Sequence, residues 1–372
     1  MIPVNTPLLD GNERKYLNEC LDDNWISSEG PFVKRFEEGM AGLCGRKYGV
    51  AVTNGSAALD IAVAALQLQP GDEIIMSAFT IISCAAAVVR AGCVPVLVDA
   101  DPVTWNMKTE DIESKITERT RALMVIHIYG LPVDMDNIMK IAAKYNLKII
   151  EDAAEMHGQT YDGKPCGSFG DISTFSFYPN KHITTGEGGM IVTNDEHLAG
   201  LCRSYRNLFF PEKERRYIHE ELGWNCRMSN IQAALGVAQL EKLPEHIVKK
   251  RLIGRCYNEL FRDTPGIQLP LAADDHAENI YWVYGIVLDD SVPFDNIYMT
   301  RRLAEKKIGS RLFFTPMHMQ PALLKRGLFV NESYPVSERL SRRGFYIPSG
   351  LGLSEDDIVC VADTVKDILK NG

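Results

Sequence analysis

The stretch from residue 48 to 152 constrains the fold more than any other part of the chain. Short β-branched, apolar runs alternate there with helical patterns. YGVAVT precedes a helix from about Ala57 and DEIIMS a helix through the low 80s; VPVLVD and ALMVIHIYG follow, and the helix MDNIMKIAAKYN leads into LKIIED. A strand that is apolar on both sides must be covered on both faces, and a helical crossover returns the chain to lay the next strand parallel to the last. The alternation therefore predicts βαβ units and a mostly parallel sheet, an α/β domain.

The flanking segments read differently. Residues 10 to 22 and 31 to 44 have amphipathic helical periodicity, separated by the turn-forming stretch WISSEGP. DISTFSFY and GGMIVTND bracket PNKHITTGE, which is too short for a crossover helix, so an antiparallel excursion is expected at one side of the sheet. A long helix from about Ser229 is expected to lead, past Pro244, into another ending near Arg262. After the Pro/Gly and acidic stretch 264 to 278, strands are expected near YWVYGIVL and SRLFF and helices near 296 to 307 and 355 to 370. Ser354 is the predicted cap of the last helix, with Asp357 three residues on. The division implied is a large α/β domain, 1-245, with an N-terminal helical segment, and a small C-terminal α+β domain, 246-372.

Charge and cysteine usage narrow the partners. With 40 basic and 49 acidic residues the net charge is -9, which disfavours binding to nucleic acid or anionic membrane surfaces but leaves room for a basic pocket around one small anion. No apolar run approaches the roughly 20 residues that cross a bilayer, and the first residues lack a secretory pattern. Nine cysteines, scattered and without a CxxC pair, fit a reducing cytoplasm rather than a disulfide framework or a structural zinc site.

Three segments carry candidate chemistry. In TNGSAAL, Gly55, Ser56 and Ala57 start a helix after a strand, where backbone N–H groups and a hydroxyl can face an anion; such turns also use Gly and Ser for conformation alone. In IIEDAAEMHG, Glu151 and Asp152 end an apolar strand, the sheet edge where ligands of open α/β folds sit. Asp152 there either pairs with a cation, metal or protonated ring nitrogen, or caps a helix. No HExxH or DxD pattern supports a metal, so none is expected. In TFSFYPNKHITTGEGGM, Lys181 follows another predicted strand, 29 residues after Asp152. An amine nucleophile, a carboxylate able to hold a pyridine nitrogen protonated and an anion-binding helix start together suit pyridoxal 5'-phosphate better than any metal.

NGSAAL, EDAAE, GSFGDISTFSFYPNK, ITTGEGGM and GWNCRMSNIQAALGVAQLE stand in the order and spacing of the DegT/StrS sugar aminotransferases, and the chain resembles that family along essentially its whole length. The resemblance implies a fold type I, pyridoxal-phosphate-dependent aminotransferase acting on a nucleotide-linked 4-keto-6-deoxy sugar, with glutamate as amino donor. Lys181 matches the family's Schiff-base lysine, Asp152 the partner of the pyridinium nitrogen, and Glu155 the position near the cofactor's phenolic oxygen. Gly55, Ser56, Ala57 and Ser176 match the phosphate cradle. Asn225 matches an asparagine that reaches the phosphate in the neighbouring subunit, which implies a homodimer with shared active sites.

Some positions depart from the family pattern. Ile81 stands where an aromatic residue usually stacks on the cofactor ring, so an aliphatic face is expected there. Pro179, Cys226 and the SRLFF run also differ, near the expected sugar site. Lys213, Arg215 and Arg216 are candidates for a diphosphate, and Arg311 and His318 for the sugar nucleotide, although each residue type is commonly a solvated charge or a local contact. Two other functions fit part of the pattern: a dehydratase of the same fold with histidine at the lysine position, which His182 neighbours, and a cofactor-binding regulator without turnover.

Overall fold

A computed structural model describes residues 1–210 and 217–372. Two helices, α1 (Glu13–Asp22) and α2 (Pro31–Leu43), precede β1 (Tyr48–Val52). The alternating segment then runs α3 (Gly55–Ala65), β2 (Glu73–Ser77), α4 (Ile82–Arg90), β3 (Val94–Val98), β4 (Thr120–Ile126), α5 (Met135–Tyr145) and β5 (Lys148–Asp152). A short ribbon, β6 (Thr160–Tyr161) and β7 (Lys164–Pro165), leads to β8 (Ile172–Ser176), β9 (Gly189–Thr193) and α6 (Glu196–Arg206). Beyond α7 (Asn230–Phe261) come β10 (Ile267–Gln268), β11 (Tyr284–Leu288), α8 (Asn296–Glu305), β12 (Arg311–Leu312), α9 (Pro321–Leu324), α10 (Pro335–Arg343), β13 (Gly344–Ile347) and α11 (Glu355–Asn371). Among the described residues no helix is long and apolar enough to cross a membrane.

The first nine strands, apart from the ribbon, form one sheet in the order β1-β9-β8-β5-β4-β2-β3. β3, β2, β4, β5 and β8 pair in parallel, while β9 is antiparallel to both β8 and β1. The short connection between β8 and β9 is thus the expected antiparallel excursion. The parallel strands end on one common edge, so the turns after β1, β2, β4, β5 and β8 converge.

Glu151, next to Asp152 at the end of β5, is buried and points to the opposite face. It accepts N–H bonds from Gly167 (2.6 Å) and Phe169 (2.9 Å) and the Ser173 hydroxyl (2.9 Å), and receives His127 Nε2 at 3.1 Å. Val133 N–H donates to His127 Nδ1, so the ring proton sits on Nε2, toward the carboxylate. This hub ties the 167–173 turn to the sheet, and Glu151 is structural.

α7 differs from expectation. It is one continuous 32-residue helix with Pro244 inside it, not two helices. A proline there removes an i→i−4 bond at a cost of about 3 kcal/mol. Packing along both halves outweighs that cost: the first half lies against α1 and α2, and the second reaches α11. The halves also enter different cores. Ala233 to Leu243 join Phe36, Met40 and Phe177, whereas Ile253, Tyr257 and Phe261 join Tyr284, Phe345 and Val361. We propose on this basis to keep the domain division near residue 245. A four-stranded antiparallel sheet, β10-β11-β13-β12, forms the second unit.

The strand anticipated in YWVYGIVL starts later than its apolar run. β11 begins at Tyr284 because Tyr281 adopts a left-handed conformation (φ 50°), which no strand accommodates. The residues released, Tyr281 to Val283, precede the strand instead, and Trp282 among them lines the cavity at the edge where the turns converge.

The capping box at the start of α11 is present as the sequence suggests: the Ser354 hydroxyl accepts the Asp357 N–H and the Asp357 carboxylate accepts the Ser354 N–H. Ser354→Ala is expected to cost about 1 kcal/mol, read as a lower urea midpoint, with no change in cofactor binding.

Candidate active site

The turn after β1 opens the site. Asn54 caps α3 by accepting the Ala57 N–H at 2.8 Å. Gly55 then lies so close to the end of β8 that a Cβ would come within 2.7 Å of Ser176 Cβ, and a Cβ on Gly189 would come within 2.4 Å of the Asn54 carbonyl oxygen. Only glycine lets these backbones meet. After β2, Ile81 precedes α4, whose first turn carries Ser83, and the Ser56 and Ser83 hydroxyls are 2.8 Å apart. The positive ends of two helices therefore face one space with two hydroxyls between them, a site suited to a dianion.

That space is a cavity of about 420 Å³ at the sheet edge. It is lined by Gly55, Ser56, Ile81, Asp152, Glu155, Ser176 and Lys181, and also by Ser83, Thr174, Tyr178, Asn180, Trp282, Phe314 and Tyr346. Asp152 Oδ1 accepts the Ala154 N–H (3.1 Å) and Oδ2 the Cys84 thiol (3.4 Å). Burial raises the Asp152 pKa, against the lowering effect of the Ala154 N–H and Lys181. Glu155 accepts the Tyr129 N–H at 2.6 Å and lies 3.9 Å from Lys181 Nζ; burial pushes its pKa to about 8, with Lys181 opposing. Burial lowers the Lys181 pKa, opposed by Glu155 and Asp152. The Lys181 ammonium also sits 3.7 Å from the centroid of the Trp282 ring.

The other expected residues fall in several places. Ala57 is buried, with its N–H already taken by the Asn54 cap. Ile81 is 43% exposed on the rim, an aliphatic wall where a ring could rest. Arg311 is exposed and lines a second depression that shares Tyr178, Asn180, Trp282 and Tyr346 with the cavity. His318 does not face this space. It is buried, with Nε2 on Glu338 at 3.1 Å and its ring against Tyr334, because its partners lie on α10 and the loop before it. His182 turns away too, donating to the Ile280 carbonyl at 3.2 Å, so the structure offers a dehydratase no histidine at the lysine's place. Asn225 is exposed and lies outside its own chain's cavity. Ser229, not Asn225, caps α7, and the Asn225 side-chain oxygen accepts from Arg227. Lys213, Arg215 and Arg216 lie outside the described residues.

Sequence reasoning missed Ser83, Asn180 and Trp282. A serine in the first turn of the next helix and a tryptophan in an apolar run carry no local signal, and only the fold brings them together.

The residues present fit pyridoxal phosphate. Two helix starts and their hydroxyls suit its phosphate, Lys181 offers an amine for its aldehyde, and Asp152 offers a buried carboxylate for its ring nitrogen. Among the described residues, Thr174 Oγ1 and Asn180 Oδ1 are buried in the cavity wall without a hydrogen-bond partner. Such atoms are costly unless a ligand or water satisfies them.

Fold and site together define a fold type I, pyridoxal-phosphate-dependent enzyme. The model of the DegT/DnrJ/EryC1/StrS aminotransferase family matches residues 7–366, and the chain belongs to that family. It is 41% identical to GDP-perosamine synthase of Caulobacter vibrioides over 99% of this chain and 98% of that one. It is 39% identical to GDP-perosamine synthase of Escherichia coli O157:H7, over 98% of each. An aminotransferase from Psychrobacter cryohalolentis superposes with a TM-score of 0.91 at 29% identity, covering 98% of each chain.

The raised Glu155 pKa predicts a pH dependence of the cofactor-free protein. Between about 4.5, the value it leaves, and about 8, the folded state holds a proton that the unfolded chain has lost, so stability falls as pH rises through that window. Glu155→Gln removes this slope. The mutant's melting temperature relative to wild type should therefore climb from pH 5 to about pH 8 in differential scanning fluorimetry; a constant difference would show Glu155 ionised throughout.

Proposed function

We propose that this aminotransferase moves an amino group from glutamate to the ketone of a nucleotide-linked 4-keto-6-deoxy sugar, GDP-linked as in the GDP-perosamine synthases it resembles. The observation that carries the reading is that Lys181, Asp152 and two helix N-termini open on one cavity at the C-terminal edge of the parallel sheet. The 41% identity to a GDP-perosamine synthase across nearly the whole chain supports the sugar nucleotide.

When bound, pyridoxal phosphate supplies the aldehyde that carries the amino group and a pyridine ring that takes up charge from the reacting carbon. The protein's residues hold and serve it. Ser56, Ser83, Ser176 and the starts of α3 and α4 hold the phosphate. Asp152 keeps a proton on the ring nitrogen, and Glu155 lies beside Lys181 on the side assigned to the phenolic oxygen. Lys181 Nζ would anchor the cofactor, and as a free amine it would be the base that takes up the proton lost from the donor's α-carbon and holds it in the cavity. Ile81 would offer the ring an apolar surface and keep water from that side. The same residues serve both half-reactions, so the kinetics are ping-pong. Exposed Arg311, beside the cavity, supplies a cation for the diphosphate.

The dimer belongs to this reading. Asn225 lies four residues before the α7 cap, outside its own cavity, and is assigned to the phosphate in the partner subunit; exposed Trp25, Ile26 and Leu222 supply apolar surface for such an interface.

Lys181→Ala is expected to lose the bound-cofactor absorbance and transamination together, whereas a surface lysine would change neither. Asp152→Asn should keep cofactor but lower kcat by two or more orders of magnitude, about 2.7 kcal/mol or more in the barrier. Retention of rate within twofold would make Asp152 only a structural acceptor. Mixing Lys181→Ala with Asn225→Ala under subunit exchange should restore up to about half the wild-type rate per mixed dimer, since one site then has both residues intact. No recovery, with exchange confirmed and Asn225→Ala impaired alone, assigns Asn225 to its own chain. A screen of GDP-, UDP- and dTDP-linked ketosugars with glutamate, read by product mass, tests the substrate.

A further inference from the structure

The segment Ile280–Trp282, which precedes the late start of β11, is bound to both chain neighbours of Lys181. Trp282 Nε1 donates to the Asn180 carbonyl at 2.8 Å, and His182 Nε2 donates to the Ile280 carbonyl at 3.2 Å. The Trp282 backbone is held in turn from behind: Lys250, buried on α7, donates to the Trp282 carbonyl (2.9 Å) and to the Ser349 carbonyl (2.6 Å). Gly130, at φ 104°, packs so closely on the same segment that a Cβ would lie 2.8 Å from the Trp282 N, and Ile280 N–H donates to the Gly130 carbonyl. The indole is thus fixed on two sides, and its ring face is directed at Lys181 Nζ, 3.7 Å from the centroid.

We propose that Trp282 is a positioning residue for Lys181, its indole face holding the free amine in the cavity and stabilising it when protonated. The proposal rests on the reading of Lys181 as the residue that binds the cofactor and moves the proton. Between its two tasks that amine must exist unbonded and alternately charged and neutral. A hydrogen-bond acceptor at this point would compete for the proton being moved. An aromatic face attracts the ammonium through its quadrupole and leaves every N–H free to reach a reacting carbon. It also shields the amine from water on that side.

The charges around the amine are otherwise set by Glu155 at 3.9 Å and by Asp152, which raise its pKa against burial, while burial holds the neighbouring Cys84 thiol protonated. His157 and His182 lie behind it, both held neutral by burial, and Tyr178, Tyr346, His127 and Glu187 line the same cavity. A substitution at Trp282 leaves all of these in place.

The test is competitive acetylation of Lys181 against pH, read by mass spectrometry in the full chain stripped of cofactor, for wild type, Trp282→Leu and Trp282→Phe. Loss of the aromatic face in Trp282→Leu should shift the labelling midpoint down by about 0.4 to 1.5 pH units, the equivalent of a cation–π contact, and Trp282→Phe should shift it less. In the cofactor-loaded enzyme, kcat should fall in Trp282→Leu with a displaced pH profile and recover in part in Trp282→Phe. A midpoint unmoved or raised in both variants overturns the proposal. Should Trp282→Leu fail to fold, an unmoved or raised midpoint in Trp282→Phe overturns it, and a smaller downward shift supports it. The reading beneath it fails separately, if Lys181→Ala keeps the bound-cofactor absorbance, because the labelling arm measures the amine without cofactor or turnover.

Discussion

The parallel register of β5 between β4 and β8 is the constraint on which the site depends. It sets Asp152 beside Ile126 on one side and Thr174 on the other, at the edge where the turns converge. Adjacent residues of a strand point to opposite faces, so Glu151 and Asp152 have different fates: one is sunk into the hub with His127, Ser173 and the 167–173 backbone, and the other opens into the cavity. A slip of one residue would exchange them, leaving a buried carboxylate without its donors and the cavity without its acid. The satisfied hub therefore does more than stabilise β5; it locks the register that aims Asp152.

From that edge the electrostatics follow. Asp152, Glu155 and Lys181 share a space from which water is largely removed, so burial disfavours the charge on each while the neighbours restore part of it. The cavity holds groups whose protonation can change at modest cost, as proton transfer requires. The two helix starts at Ser56 and Ser83 add fixed positive potential to the same cavity. The rest of the lining has another source: Tyr178, Trp282, Phe314 and Tyr346, together with the neighbouring depression that holds Arg311, come from loops and from the second sheet.

Local pattern carried a large share of this. Alternation of apolar runs and helical periods specified the parallel sheet, because a strand covered on both faces has few other ways to be satisfied; strand-end position made Asp152 and Lys181 candidates, and the family resemblance supplied their roles. The Ser354 capping box was legible for the same reason: its two hydrogen bonds span three residues. The continuous α7 was not, since propensity at Pro244 argues for a break and only packing against α1, α2 and α11 reverses it. Nor was the fate of His318, whose spacing in MHMQP says nothing of Glu338 twenty residues on.

By itself the sequence determined the class of fold and put a carboxylate and a lysine at the strand ends that the structure brings to one cavity, because these follow from periodicity and from residues carried within single segments. Tertiary structure alone decided which side of β5 each carboxylate faces, that Gly55 can meet Ser176, that Ser83 joins Ser56, and that Trp282 covers Lys181 from 101 residues away. Those contacts join residues distant in the chain, and their energies depend on distances of a few ångströms that no local pattern encodes.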